Sequence, residues 1–99
     1  DGKVTAVTRF ELPGTITCLE MNFARLGEWA VGMWDYPSGV GGLYFSFDSG
    51  KSWAAIGQDL ANTRVTDIRF DKAGNRLYIG TAGKGLWVLN LEKIRNPVP

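Results

Sequence analysis

The chain has 99 residues, the length of one small domain. Its content of 44% apolar and 21% charged residues is typical of a folded globular protein and argues against an intrinsically disordered chain. The net charge of +1 provides no basic surface for nucleic acid. The sequence contains no histidine, which excludes Ser-His-Asp and Cys-His catalytic sets and histidine metal ligands.

Strand-forming segments run along the whole chain. Thirteen glycines and 12% aromatic residues predict many short strands joined by tight turns. In chain order, the predicted strands are residues 3–10, 16–21, 28–34, 42–47, 52–56, 65–70, 76–81 and 85–91. Residues 91–95 are predicted to form one helical turn before Pro97. The pattern indicates an all-β fold built from antiparallel meanders.

The single cysteine excludes an internal disulfide and a Cys-x-x-Cys site. Cys18 lies in an alternating apolar run, which favours a buried structural thiol over a reactive nucleophile. No apolar run approaches the ~20 residues of a membrane-spanning helix. The chain begins without Met and without a signal peptide, which we interpret as a processed chain or a piece of a longer one.

An internal repeat organises the strands. Residues 16–21 align with 65–70, residues 29–33 with 77–81, and residues 42–45 with 85–88. The aligned blocks are roughly 43–49 residues apart, close to the ~40–50 residues of a propeller blade. Strict alternation places Thr17 with Leu19 and Met21 on one predicted face. Both faces of each sheet are therefore expected to be at least partly covered.

Residues 46–53 read Ser-Phe-Asp-Ser-Gly-Lys-Ser-Trp and match the pattern S-x-D-x-G-x-[S/T]-W at every specified position. The aspartate is suited to accept backbone N–H bonds, the glycine to adopt a positive φ, and the tryptophan to pack on a neighbouring sheet. This motif resembles the Asp-box of sialidase-like (BNR) propellers. Its structural residues are Ser46, Asp48, Gly50, Ser52 and Trp53.

Residues 16–91 are similar to blades of xyloglucan-cleaving hydrolases and sortilin-type receptors, although the second repeat lacks an Asp-box. The resemblance implies a single unit, residues 1–99, with two four-stranded antiparallel propeller blades. The first blade spans residues 11–56 and the second residues 65–91, whose outer strand is residues 3–10 of the same or another chain. Two blades cannot close a ring of about four to eight. We therefore expect completion by copies of this chain, three or four in all, or by the rest of a larger propeller.

The resemblance also implies a binding face built from loops at one end of the blades. The candidate residues offer aromatic rings for stacking on sugars, oxygen and amide groups for hydroxyls, and two cations. They are Trp34, Asp35, Tyr36, Asp59, Asn62, Arg64 and Lys84. The alternative is that Trp34 and Tyr36 only pack a long loop onto the sheet.

The leading expectation is a non-catalytic interaction module that binds a glycan, lectin-like, or a protein. One alternative is a fragment of a secreted glycoside hydrolase, and another is a purely structural, self-assembling unit, engineered or reconstructed. No carboxylate spacing identifies a hydrolase pair, and no residue set matches that of the sialidases, so we assign no catalytic residue. We also expect no metal, no cofactor, no nucleic acid and no membrane insertion. The resemblance alone favours an extracellular or periplasmic location.

Overall fold

The computed structural model describes residues 9–35 and 40–95. Its strands are β1 (Thr15–Met21), β2 (Trp29–Asp35), β3 (Val40–Ser46), β4 (Ala54–Ile56), β5 (Val65–Phe70), β6 (Arg76–Thr81) and β7 (Leu86–Asn90). A short 3₁₀ turn, Gln58–Leu60, precedes β5, and a one-turn helix α1 (Glu92–Arg95) follows β7. The all-β prediction is confirmed. The strand predicted over residues 3–10 lies outside the described residues up to residue 8, and Arg9 and Phe10 are not in a strand.

The strands form two antiparallel meanders, neither of which closes into a barrel. Sheet 1 has the order β1-β2-β3-β4, and sheet 2 has the order β5-β6-β7. Each strand pairs with the next along the chain, as the tight turns of the sequence predict. Within the described ranges, the outer edge of β7 has no strand beside it.

Strand direction divides the loops between two ends of the molecule. The β4–β5 and β6–β7 connections, the end of β2 and the beginning of β3 lie at what we call the upper end. The β1–β2, β3–β4 and β5–β6 connections and α1 lie at the lower end. At the upper end, the Gly42 amide donates to the Thr63 carbonyl at 2.9 Å. At the lower end, the Asn22 side-chain amide donates to the Gly74 carbonyl, also at 2.9 Å. The two sheets therefore have their upper ends on the same side of the molecule, and likewise their lower ends.

The two sheets pack face to face around one apolar core. The buried residues of this core are Ala30, Leu43, Phe45, Leu60, Val65, Ile68, Leu77, Ile79 and Leu91. Each fully buried Val, Leu, Ile or Phe side chain of this core stabilises the folded state by about 1.5–3 kcal/mol relative to an exposed one. A Cβ on Gly32 would lie 2.6 Å from both the Val65 side chain and Cys18 Sγ. The sheets thus approach so closely at this point that only glycine fits.

Each sheet consequently has a covered face, turned toward the other sheet, and an open face. The covered face of sheet 1 carries Cys18, Ala30, Leu43 and Phe45, and that of sheet 2 carries Val65, Ile68, Phe70, Leu77 and Ile79. The open face of sheet 1 carries Ile16, Leu19, Met21 and Trp29, and that of sheet 2 carries Asp67, Arg69, Tyr78, Leu86 and Val88.

In each sheet, the pairing of the first two strands is irregular at one point, and the internal repeat makes these two points equivalent. The register skips between Ile16 and Cys18 in β1, and between Val65 and Asp67 in β5. The prediction that Thr17 shares a face with Leu19 and Met21 is wrong, because the bulge breaks the two-residue alternation there. The Thr17 hydroxyl instead donates to the Val65 carbonyl at 2.6 Å and joins the sheets.

Tryptophan side chains lie on both sides of sheet 1, and one of them comes from β7 of sheet 2. Trp87 packs against the core between the sheets. Trp29 and Trp53 lie instead on the open side of sheet 1, with their ring centroids 6.4 Å apart. The Phe10 ring packs edge-on against Trp29 at 5.6 Å, so residues leading into β1 cover part of this face.

Candidate functional site

The Asp-box forms the β3–β4 turn at the lower end, and its side chains bond almost entirely to one another. The Ser46 hydroxyl donates to Asp48 Oδ1 at 2.8 Å and accepts from the Gly50 amide at 2.8 Å. The Asp48 carboxylate accepts from the Ser52 amide at 2.9 Å and from the Ser52 hydroxyl at 2.6 Å. Ser49 and Gly50 have φ values of 59° and 86°. The motif is therefore a closed turn that fixes the β3–β4 connection.

Gly50 has a second role besides its positive φ. A Cβ at this position would lie 2.7 Å from Trp29 Cζ3. The turn consequently rests directly on the Trp29 ring, next to Trp53. The motif links the lower turn of sheet 1 to the aromatic cluster on its open face.

Hydrogen bonds to the charged carboxylate make the turn pH-dependent. Bonds from the Ser52 side chain and backbone, and from Ser46, lower the pKa of Asp48 from 3.8 to about 2. A carboxyl whose pKa is lowered on folding stabilises the folded state above its unfolded pKa, and this contribution is lost as the pH falls through the folded value. We expect urea unfolding of Asp48→Asn to show a smaller loss of stability between about pH 4 and pH 2 than the parent chain.

The control for this measurement is Glu11→Gln, which removes an exposed carboxylate paired only with the exposed Arg9 at 3.3 Å. That variant should retain the parent pH dependence. Part of the dependence should survive in Asp48→Asn, because backbone bonds from Arg76 and Asn75 also lower the pKa of Asp71. Equal acid sensitivity of Asp48→Asn and the parent would contradict the assigned role of Asp48.

A second polar cluster at the lower end, the Glu28–Arg95 clamp, was not predicted from the sequence. It consists of Asn22, Glu28, Gly74, Asn75 and Arg95. Arg95 Nε donates to Glu28 Oε2 at 2.7 Å and Arg95 Nη2 to Glu28 Oε1 at 2.5 Å. Both side chains are almost fully buried. The clamp thereby ties the β1–β2 turn of sheet 1 to helix α1.

The clamp satisfies every donor of its guanidinium. The remaining N–H groups of Arg95 bond to the Gly74 carbonyl, to Asn75 Oδ1 at 2.9 Å and to Glu92 Oε1 at 3.1 Å. A guanidinium has five N–H donors, so no donor is left for a ligand. Hydrogen bonds to Glu28 hold the pKa of Arg95 above its ordinary value. We assign the clamp a structural role: it connects both sheets and the C-terminal helix.

Four of the seven predicted ligand residues lie in loops at the upper end. Asp59 is exposed in the 3₁₀ turn, and its backbone carbonyl lies 3.5 Å from Lys84 Nζ. Asn62 is exposed with a φ of 61°, and Arg64 is exposed beside it. The Ala82 amide donates to the Arg64 carbonyl at 3.0 Å, which ties the loop before β5 to the loop before β7. The fold therefore brings these four predicted residues into one loop cluster.

The other predicted ligand residues are placed differently or not described. Trp34 is half-buried beside Gly41, where a Cβ would lie 2.9 Å from Trp34 Cε3. The ring therefore packs against the β3 backbone at Gly41. The Asp35 side chain and Tyr36 lie outside the described residues.

A shallow pocket of 270 Å³ lies next to Asn62 at the upper end. It lies where β4 ends at Ile56 while β3 continues, and Ala61 and Asn62 border it after the 3₁₀ turn. Gly41, Gly42 and Gly57 line part of it, and Tyr44 and Asn62 are its polar residues. Tyr44 was not predicted as a site residue, because in the sequence it is one more aromatic of an alternating strand.

The reactive side chains elsewhere have structural surroundings. Cys18 is half-buried between the sheets, and this burial raises the pKa of its thiol. Asp67 lies on β5 and pairs with Arg69 at 3.6 Å. No group of three or more Cys, Asp or Glu side chains suited to a metal ion occurs in the described part of the chain. None of the helices within residues 9–35 and 40–95 is long and apolar enough to cross a membrane.

Comparison of the chain with known protein families, with curated proteins and with solved structures found no match.

Proposed function

We propose that the chain is a non-catalytic binding module of the β-propeller type, which supplies two neighbouring blades and binds a glycan at its upper end. The arrangement of the sheets supports the blade assignment. Both sheets are sequential meanders, they stand face to face with their first strands in contact, and they have bulges at equivalent positions. The closed Asp-box turn between β3 and β4 agrees with the role that the motif has in such blades.

The pocket beside Asn62 is the observation that carries the ligand proposal. A sugar presents an apolar ring face bordered by hydroxyl groups. The pocket combines an aromatic residue, Tyr44, with an amide, Asn62, and its remaining lining is made of glycines and small or aliphatic residues. Aromatic surface with a few convergent polar groups is the usual composition of a small-molecule site. Asp59, Arg64 and Lys84 lie in the adjoining loops and extend the polar surface beyond one sugar unit.

Titration with neutral β-linked gluco- and xylo-oligosaccharides tests the proposal. We expect NMR shifts concentrated at the Asn62 side-chain amide and the Tyr44 backbone amide. Asn62→Gly removes the amide but keeps a residue that tolerates the positive φ, so the backbone is preserved. Loss of its hydrogen bonds should weaken binding by about tenfold, the equivalent of ~1.4 kcal/mol.

Lys72→Ala is the matched control, because Lys72 is an exposed polar residue in the β5–β6 turn at the opposite end. It should leave the titration unchanged. Shifts spread evenly over both ends, or oligosaccharide affinity unaffected by Asn62→Gly, would overturn the assignment of the pocket.

A further inference from the structure

The internal repeat makes it possible to compare each surface of one sheet with its equivalent on the other. Ile16 and Leu19 of β1 correspond to Val65 and Ile68 of β5. Val65 and Ile68 are 0% and 2% exposed, because sheet 1 covers them. Ile16 and Leu19 are 48% and 51% exposed on the open face of sheet 1. The open face of sheet 1 is therefore the counterpart of a surface that the fold buries.

The same comparison can be made for the open face of sheet 2 and the covered face of sheet 1. Leu43 and Phe45 of β3 are each 1% exposed, since they form the covered face of sheet 1. Their equivalents in β7, Leu86 and Val88, are 71% and 56% exposed. The two open faces thus repeat the two halves of the interface that sheets 1 and 2 already make.

Two smaller features of the contact between the sheets, a glycine and a threonine of sheet 1, also have equivalents on sheet 2. Gly32 is needed because Val65 approaches it closely, whereas a Cβ on its equivalent Gly80 would meet nothing nearer than Thr66 Oγ1 at 3.4 Å. The Thr17 hydroxyl donates to the Val65 carbonyl of the other sheet, whereas its equivalent Thr66 makes no bond to another sheet within the described residues. Gly80 and Thr66 have the features of an interface with nothing yet packed against them.

We propose that the open face of sheet 1 binds the open face of sheet 2 of a second copy of this chain, and that successive copies close a ring head to tail. Leu86 and Val88 of one copy lie over Ile16, Leu19 and Met21 of the next. Thr66 of one copy donates to the Ile16 carbonyl of the next, as Thr17 does to Val65. The proposal rests on the blade assignment made above. Tyr44 lies on the same open face as Leu19, and its equivalent Trp87 packs against the core between the sheets, so a second copy would also approach the sugar site.

The shape of the open face of sheet 1 agrees with this occupant. Phe10 packs on Trp29, and Val31 and Met33 at the centre of this face are already buried, but a groove of 190 Å³ lined by Phe10 and Leu12 remains beside β1. Ile16, Leu19 and Val31 line this groove. The repeat places the partner's β5 and β7 side chains on this uncovered side. Because the two faces differ, the contact is heterologous, and such contacts generate rings when the rotation closes.

Light scattering after size exclusion tests the assembly with the whole chain. We expect one species of three or four copies for the parent, and single chains for Leu19→Asp and for Leu86→Asp. Both positions are exposed, so each variant should keep the parent circular dichroism and tryptophan emission. An equimolar mixture of the two variants should form a complex of two chains, because each contributes the one face that the other lacks.

Gly80→Val provides a second test without a new charge. It should fold, because the space above Gly80 is open, and it should remain a single chain because the added side chain occupies the interface. Ala73→Val, in an exposed turn away from both open faces, should assemble like the parent.

A monomeric parent would overturn the proposal and would indicate that blades of another sequence cover these faces. Self-association of Leu86→Asp alone would also overturn it, since that variant lacks the face required by a head-to-tail contact. Repeating the oligosaccharide titration on Leu86→Asp separates the two proposals. Shifts retained at Asn62 support the sugar site whatever the assembly does, and their loss there would count against the sugar site alone.

Discussion

Arg95→Met is expected to lower the free energy of unfolding by about 3–5 kcal/mol, because it leaves the Glu28 carboxylate buried without its cation. The substitution also frees the Gly74 carbonyl and Asn75 Oδ1 from their bonds to the guanidinium. Each kcal/mol shifts the Tm of a domain of this size by about 4–8 °C. Thermal and urea unfolding will therefore resolve the loss easily.

Two further variants separate burial of the ion pair from arginine chemistry in general. Arg25→Met removes an exposed arginine that lies 3.9 Å from Glu92, and exposed pairs contribute about 0–1 kcal/mol. The double variant Glu28→Met with Arg95→Met should recover part of the loss, since no unpaired charge remains. Equal losses for Arg95→Met and Arg25→Met, or a double variant less stable than Arg95→Met, would show that the clamp does not hold the sheets as described.

Phe45→Ala is expected to cost about 3–5 kcal/mol, the range found when a buried phenylalanine is truncated. Phe45 lies at the centre of the contact between the sheets, with its ring centroid 6.2 Å from that of Phe70 and 4.8 Å from that of Phe47. Truncation of the ring leaves a cavity between the sheets. The cavity can be filled only if the two sheets move toward each other as rigid bodies. In a domain whose total stability is about 5–15 kcal/mol, this is a large fraction.

The unfolding midpoint in urea measures this effect, with Phe23→Ala as the control. Phe23 is an exposed phenylalanine in the β1–β2 turn, so its truncation should change stability by less than about 0.5 kcal/mol. Phe45→Leu should lie between the two, because it keeps most of the apolar volume. Similar midpoints for Phe45→Ala and Phe23→Ala would mean that the sheets are not held together by this core.

The sequence was informative wherever structure depends on neighbours along the chain. Strand β6 and strand β5 have the bounds that alternation predicts, and the Asp-box turn closes through residues at most four positions apart. The described candidate residues Asp59, Asn62, Arg64 and Lys84 share one end because a meander must alternate its turns. Local pattern and local hydrogen bonding therefore account for most of the secondary structure.

Features that depend on distant residues could not be predicted in the same way. Glu28 and Arg95 are separated by 67 positions, and neither has a sequence context that distinguishes a buried ion from a solvated one. The pairing register shifts at Thr17 and its hydroxyl bonds to Val65 on the other sheet, so alternation alone assigned Thr17 to the wrong face. Tyr44 became a candidate site residue only because β4 stops at Ile56 and leaves the ring bordering a gap.

The positions of the Asp-box and the clamp have a consequence for how such a chain changes over time. Both networks of interlocking side-chain hydrogen bonds lie at the lower end, and the loop cluster of Asp59, Asn62 and Lys84 lies at the upper end. Substitutions of the exposed side chains Asp59 and Lys84 therefore leave both networks intact. As the sequence changes, exposed positions of the upper end can accordingly vary while the lower turns keep their hydrogen bonds.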